Sequence, residues 1–293
     1  MSGFEAWIGR EQRASDRLDE SLAARWLASF DRPMPSPALM PQGIHLCLCT
    51  PQASSSALGA DGHPAREDSE DSFLPPFDMP RRMWASSDIE FHAPIAVGAV
   101  IERVSTIASI SEKQGGSGKL AFVDIAHETR ANGTLSVREV QTIVYREAAG
   151  SQAPLSPPET GDPAFASGAS DSGASDRGAW DVHRAIRPDP RLLFRFSALT
   201  FNTHRIHYDA PYAREVERYR GLVVHGPLIA SLLLQLAADH LGDNRLRRFA
   251  FRGVSPAIAD ETLHLVMRQA GDGFELGAFA DDDRQVTKAS AQI

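Results

Sequence analysis

The side chains best suited to proton chemistry crowd into one segment, Phe201-Asn202-Thr203-His204-Arg205-Ile206-His207-Tyr208-Asp209, followed closely by Gly221-Leu222-Val223-Val224-His225-Gly226-Pro227-Leu228. Imidazole changes charge near neutrality, so a histidine can both take and return a proton. His207 is the candidate for that exchange, Asn202 for orienting a water molecule, and His204 or Asp209 for fixing the tautomer of His207. The second segment reads as a helix start. Gly226 can cap it, and Pro227 suits the first helical position because its missing N–H would be unpaired there anyway. A helix start exposes backbone N–H groups at the positive end of its dipole, which can hold an oxygen that gains negative charge. The N–H of Gly226 is the candidate donor, and the absent side chain lets a carbonyl come close. His204, His207 and His225 also suggest a metal, but no carboxylate or cysteine stands at a telling spacing, so none is expected.

The elements that must position these groups are legible around them. Leu228 to Leu241 is almost continuously apolar, interrupted by Ser231, Gln235, Asp239 and His240, with Gly242 placed to end it. It is too short to cross a bilayer, which needs roughly 20 apolar residues. It is expected to be a buried helix. Arg191 to Leu199 is read as a strand before the polar segment. After the helix, alternating stretches at Leu246 to Arg252, Thr262 to Gln269, Phe274 to Phe279 and Gln285 to Ala291 predict an antiparallel sheet around it. Strand, central helix and several strands is the order of a hot-dog fold, an α+β arrangement.

The first half ends alike, with strand-like runs at Asp88 to Phe91, Ala99 to Ile110, Leu120 to His127 and Ser136 to Tyr145. Leu22 to Phe30 looks helical, and Ile44 to Cys49 part of a buried helix. Between the halves Pro, Gly, Ser, Ala and Asp dominate, with Ser167-Gly-Ala-Ser-Asp repeated at once from Ser172; such a stretch buries too little apolar surface to offset its ordering entropy. The expected organisation is therefore a degenerate hot dog over 1–150, a linker over 151–184 and a second hot dog over 185–293.

Of the 293 residues 42% are hydrophobic, which supports full-sized cores, and the formal net charge of -8 gives no footprint for nucleic acid. Cys47 and Cys49 are spaced too closely for a disulfide in an extended segment, which fits a reducing compartment. No secretory signal is apparent over Met1 to Arg10, so cytoplasmic residence is the default. Neither a nucleophile elbow nor a phosphate-cradling glycine loop occurs, so hydrolase and nucleotide-enzyme readings are weak.

The order of the polar segment ending in Ile206-His207, then Val224-His225-Gly226-Pro227-Leu228, resembles the MaoC-type, R-specific enoyl-CoA hydratases. Their usual signature is Gly-Asp-x-Asn-Pro-(Leu or Ile)-His with a later His-Gly at the helix start. Asn202 stands at the aspartate position, His204 at the asparagine, Arg205 at the proline and His207 at the histidine. Asn202 cannot act as a base, so the two-residue Asp/His mechanism does not carry over. The variant is similar to the two-domain branch that hydrates mesaconyl-C4-CoA and itaconyl-CoA, supported by Asp61-Gly62-His63-Pro64, Phe73-Leu74-Pro75-Pro76, Pro80-Arg81-Arg82-Met83-Trp84, Glu90-Phe91 and Val144-Tyr145-Arg146-Glu147. Two places depart from it: Ile44-His45-Leu46 replaces an aromatic stretch, and Glu67 to Ser72 is acidic where a Gly turn is usual.

The resemblance implies a double hot-dog hydro-lyase acting on the 2,3-bond of a short, dicarboxylic or branched enoyl-CoA, with one active site in the second half. Catalysis is expected of His207, Asn202 and Gly226, with His204, Arg205, Tyr208, His225 and Arg82 binding substrate. A guanidinium at Arg205 or Arg82 could grip a second carboxylate. Arg214, Arg218 and Arg220, or Arg245, Arg247 and Arg248, are candidates for the CoA phosphates. No cofactor is expected beyond the CoA carried by the substrate, no membrane partner is expected, and a homodimer is a possible assembly. The rivals are a thioesterase on the same fold and a non-catalytic acyl-CoA-binding protein.

Overall fold

The structure, a computed structural model, describes residues 3–66, 69–115, 118–147 and 180–293. Its frame is a sheet built from β1 (Glu11–Arg17), β2 (Arg81–Phe91), β3 (Val100–Gly115), β4 (Gly118–Ala131), β5 (Thr134–Arg146), β6 (Val182–Ile186), β7 (Arg248–Gly253), β8 (Leu263–Ala270), β9 (Gly273–Ala280) and β10 (Gln285–Gln292). These pair in the order β1-β3-β4-β5-β2-β7-β10-β9-β8-β6. Five strands from each half thus join into one antiparallel sheet. The seam is β2 on β7, where Ser86 faces Arg252 and Glu90 faces Arg248. Every strand predicted from alternation is present, most of them longer than their apolar runs, because the sheet ladder extends into polar ends. The strands β1 and β6 were not foreseen. Both are edge strands without a fully buried residue: β1 is exposed along almost its whole length, and β6 alternates but is only 5 residues long.

The helices are α1 (Glu20–Ser29), α2 (Pro190–Leu199), α3 (Ala210–Glu215) and α4 (Gly226–Leu241). In α4, Leu228, Ile229, Ala230, Leu233, Leu234, Leu236 and Ala237 are all buried, as continuous apolar character requires. Its cap is His225 rather than Gly226, and Gly226 is the first helical residue, with Pro227 still inside the turn that needs no N–H. Gly242 ends the helix with φ 95.

The strand expected over Arg191 to Leu199 is instead α2. The Asp189 carboxylate accepts from Leu192 N–H at 2.9 Å, Pro190 opens the helix, and Leu193, Phe196 and Leu199 share one buried face. A cap, a proline and a three-residue apolar period outweigh the local strand propensity.

In the first half the elements at the filling position are α1, capped by Asp19, and a buried 3-10 turn over Ile44–Cys47. Both join the core around α4, and Gly43, at φ 107, would bring a Cβ 3.3 Å from Leu234 Cδ1. A smaller core of Trp7, Phe77, Met79, Ile107, Val123 and Tyr145 closes the far end of the first half. Of the expected linker, residues up to 179 lie outside the described residues, while Val182 to Arg184 belong to β6. Cys47 and Cys49 are free thiols. No described helix is long and apolar enough to cross a membrane.

Candidate active site

The polar segment predicted to carry chemistry connects α2 to α3 through a 3-10 turn over Arg205–His207. Buried Ile206 anchors the turn in a small cluster with Tyr212, Val223 and Ile258. The backbone then locks it to the approach of α4: Val223 N–H donates to Ile206 O at 3.0 Å, and His207 Nδ1–H donates to Val223 O at 2.7 Å. A carbonyl can only accept, so Nδ1 carries the proton and Nε2 is left as the proton-accepting nitrogen.

The His207 ring is buried and stacks on His225, with centroids 3.6 Å apart. His225 is the cap of α4, and its Nε2 lies 2.8 Å from Ser197 Oγ on α2. On the other side His204 meets His207 edge-on at 5.3 Å and His63 at 4.0 Å. The four rings form a row, His63, His204, His207, His225. Burial, then the neighbouring ring's charge, lowers His204 to about 3 and His207 to about 3, and pushes His225 well below the usual imidazole range. The inner rings are therefore neutral at pH 7.

His63 comes from the first half. Its Nδ1 lies 2.9 Å from Asp61 Oδ2. Burial would raise the Asp61 carboxyl, but the hydrogen bond and charge of His63 outweigh it and hold it at about 2. The Asp61–Gly62–His63 turn is stitched to the polar segment: Thr203 Oγ1–H donates to Gly62 O at 2.5 Å, and Arg205 N–H donates to Asp61 O at 2.8 Å. Asp61, His63 and His204 bring their ligating atoms within 4.8 Å of one another, close enough to hold a metal ion. Within this group Asp61 Oδ2 and His63 Nδ1 are at hydrogen-bond distance from each other.

These groups stand beside a cavity of about 720 Å³ walled by both halves. His63, Asn202, His225 and Pro227 are in its wall, whereas His204 and His207 are the two inner members of the row. Asn202 accepts from His204 N–H through Oδ1 at 2.9 Å, which leaves its amide N–H groups for a ligand or water. A Cβ on Gly226 would meet nothing within 4 Å, so this first helical residue is uncrowded, between His225 and Pro227 of the cavity wall.

Arg82 lines the cavity beside Tyr145. Arg205 does not: its guanidinium is held by Asp209 at 2.7 Å, by Ala60 O at 3.0 Å and over the Tyr212 ring. Tyr208 is exposed and also lies off the cavity wall. Asp209 binds Arg205 and caps α3 rather than touching His207. None of the six arginines named for CoA lines the cavity, and Arg220 and Arg248 pair with Glu261 and Asp88.

A polar patch on the first-half wall was not foreseen. Arg103 Nη2 donates to His45 O at 2.8 Å, Ser105 Oγ lies 2.8 Å from His127 Nδ1, and His127 Nε2 lies 3.3 Å from Gln141 Oε1. Burial, then the charge of Arg103, holds His45 at about 3 and His127 at about 4, so both are neutral. Burial raises the Glu139 carboxyl, which accepts from Ser87 Oγ–H at 2.5 Å. Arg103 thus supplies this wall with a guanidinium that no described carboxylate pairs. The signal was in the sequence as polar residues two apart, Arg103 with Ser105 and Glu139 with Gln141, on strands whose polar face turns inward.

Residues 43–259 match the model of the family described as hydroxyacyl-thioester dehydratase type 2. The chain belongs to that family. Its members are hydro-lyases, and so is this one. It is 38% identical, over 98% of this chain and 97% of the relative, to the mesaconyl-C(4)-CoA hydratase of Chloroflexus aurantiacus. It is 25% identical, over 78% of each chain, to the mitochondrial hydroxyacyl-thioester dehydratase type 2 of Schizosaccharomyces pombe. The fold matches a MaoC-like dehydratase from Phytophthora capsici, TM-score 0.71 at 12% identity, covering 100% of this chain and 97% of that one. It also matches a Mycobacterium tuberculosis protein described as a double hotdog, TM-score 0.56 at 14% identity, covering 97% and 95%. The family thus confirms the MaoC-like hot-dog reading, with one continuous sheet serving both halves.

Proposed function

We propose that this hydro-lyase adds water across, or removes it from, the 2,3-bond of a short enoyl-CoA that carries a second carboxylate, of the mesaconyl-C4-CoA or itaconyl-CoA kind. The observation that carries the reaction is the neutral His207 with its Nε2 unprotonated, held behind the start of α4 beside a cavity lined by Asn202, His225 and Pro227. Asn202 holds the water through its free amide N–H groups, and the water's proton passes to His207. The thioester oxygen gains charge as C3 is attacked and rests on Gly226 N–H, at the positive end of α4. His225 and His204 hold the ring of His207 in place from both sides. Acyl-CoA is the sole partner this reading requires, with no further cofactor.

Arg82 and Arg103 support the substrate class. Each brings a guanidinium to the cavity wall, and neither is in a salt bridge among the described residues. A charge held near low-dielectric walls without a counter-charge favours a ligand that supplies one. The expected organisation, a catalytic second half over 185–293 covered by a first half over 1–150, accords with a cavity whose catalytic wall and cationic wall come from different halves.

The test is a panel of mesaconyl-C4-, itaconyl- and crotonyl-CoA, followed by loss of the conjugated-thioester absorbance and by mass gain of one water. Hydration of the dicarboxylic members in preference to crotonyl-CoA is expected. Release of free CoA from a saturated thioester without hydration would assign the cavity to thioester hydrolysis instead.

A further inference from the structure

The chain leaves α2 through a turn for which phenylalanine is poorly built. Thr200 caps the helix and Asn202 N–H donates back to Ser197 O at 2.9 Å, so Phe201 takes the left-handed position just beyond the cap, with φ 48. Glycine usually fills that position, because a Cβ there crowds the backbone carbonyl. Asp and Asn tolerate it, which accounts for Asp31, Asn132, Asn244, Asp260 and Asp283. Among the described residues Phe201 is the one aromatic so placed.

Burial does not offset this cost, since Phe201 is 62% exposed. The ring neither favours its backbone nor feeds the core. It is in the wall of the cavity, next in sequence to Asn202. Of the large apolar side chains that stand exposed among the described residues, Phe201 and Met83 line the cavity, one from each half. Phe194 is 68% exposed as well, but it sits within helical α2 and off the cavity wall. Strain kept at a ligand-binding wall, with no gain in packing, points to a contact made by the ligand.

Resting on the hydratase reading above, we propose that Phe201 is a substrate-binding residue whose ring covers the pantetheine arm of the CoA thioester. A thioester seated at the start of α4 sends its acyl chain inward and its carrier arm out past the solvent side of the wall. Phe201 is the exposed aromatic of that wall. The arm presents methylene and methyl groups without charge, which an aromatic face can cover and an ion pair cannot. The adenine ring lies a whole arm's length further on, beyond the reach of a residue that adjoins Asn202.

The experiment compares wild type with Phe201→Gly and Phe201→Asn, both of which suit the left-handed turn, and with Phe194→Ala as a control. It reads melting temperature, molecular mass in solution, and kcat and KM on the best substrate of the panel. It also reads the calorimetric Kd for the butyryl thioesters of CoA, pantetheine and N-acetylcysteamine, which have no double bond to hydrate. For both Phe201 variants we expect a melting temperature at or above that of wild type, because the strained conformation is relieved. KM and the Kd for butyryl-CoA should rise by about tenfold, with kcat within about twofold. The same rise should appear with butyryl-pantetheine and be absent with butyryl-N-acetylcysteamine, which lacks most of the arm. Phe194→Ala should change none of these.

Wild-type Kd values in both Phe201 variants overturn the proposal. So does a rise confined to butyryl-CoA, which assigns the ring to the nucleotide, or one shared by butyryl-N-acetylcysteamine, which assigns it to the acyl pocket. A fall in kcat at unchanged KM and Kd marks Phe201 as a support for Asn202 and also overturns it, as does loss of a dimer at unchanged Kd. Wild type that binds butyryl-CoA but hydrates nothing removes the hydratase reading alone, and the Kd series still decides the role of Phe201.

Discussion

Gly62 and Thr203 lie 141 positions apart in sequence, yet the Thr203 hydroxyl donates to Gly62 O at 2.5 Å. A Cβ at position 62 would fall 1.8 Å from Thr203 O. The contact fixes the distance between the two halves at the point where their polar groups meet. Gly62→Ala must distort the turn or push the segment away, at a cost of roughly 1–3 kcal/mol for the strained backbone alone. A lowered melting temperature together with reduced turnover is expected. A variant as stable and active as wild type would show that the turn is not held there.

His207→Asn keeps a donor near the Nδ1 position, so the bond to Val223 O can survive, but removes Nε2. We expect kcat to drop by about 10² to 10⁴, with an unchanged circular dichroism spectrum and melting curve. Unaltered turnover would move the proton exchange with water to another group.

Arg103→Gln removes the unpaired charge from the first-half wall. Loss of a charge-assisted hydrogen bond costs about 1.5–3 kcal/mol, or roughly 10- to 150-fold in kcat/KM. That loss should appear with mesaconyl-C4-CoA and not with crotonyl-CoA. Equal losses on both would mark Arg103 as a support for His45 O and the sheet. Arg82→Gln, measured in parallel, reports which guanidinium takes the second carboxylate.

Stability should depend on pH through the buried rings. His45, His127, His204 and His207 are lowered from 6.5 to about 3, 4, 3 and 3, each chiefly by burial. The unfolded chain therefore binds protons that the native chain refuses between pH 6.5 and the folded values. Stability is full above pH 6.5 and is lost as pH falls below it. Over the first unit the loss is on the order of 1 kcal/mol per ring. Melting curves from pH 8 to pH 5 should show a steep decline, and His127→Gln should make it shallower. A flat profile would mean that the rings are solvated.

Much of the fold was legible because it is written in local periodicity. The apolar run of α4 and the alternation of β3, β4, β5 and the last four strands announce themselves within a few residues. The expected strand at Arg191 to Leu199 failed where a local pattern had two readings and the Asp189 cap decided for a helix. The polar segment was equally legible as a concentration of chemistry, and the fold brings His204, His207 and His225 together at the start of α4.

By itself, then, the sequence determined the order of elements, the buried helix with its glycine opening, and the segment able to move protons, since each follows from neighbours along the chain. Only the tertiary structure decided which polar groups meet the cavity. It put His63, paired with Asp61, in the same cavity wall as Asn202, turned Arg103 inward, and committed Arg205 to Asp209 and Ala60. Those outcomes depend on how the first half closes over the second, through contacts more than a hundred residues apart in sequence, and no local pattern encodes the distance at which two such surfaces come to rest.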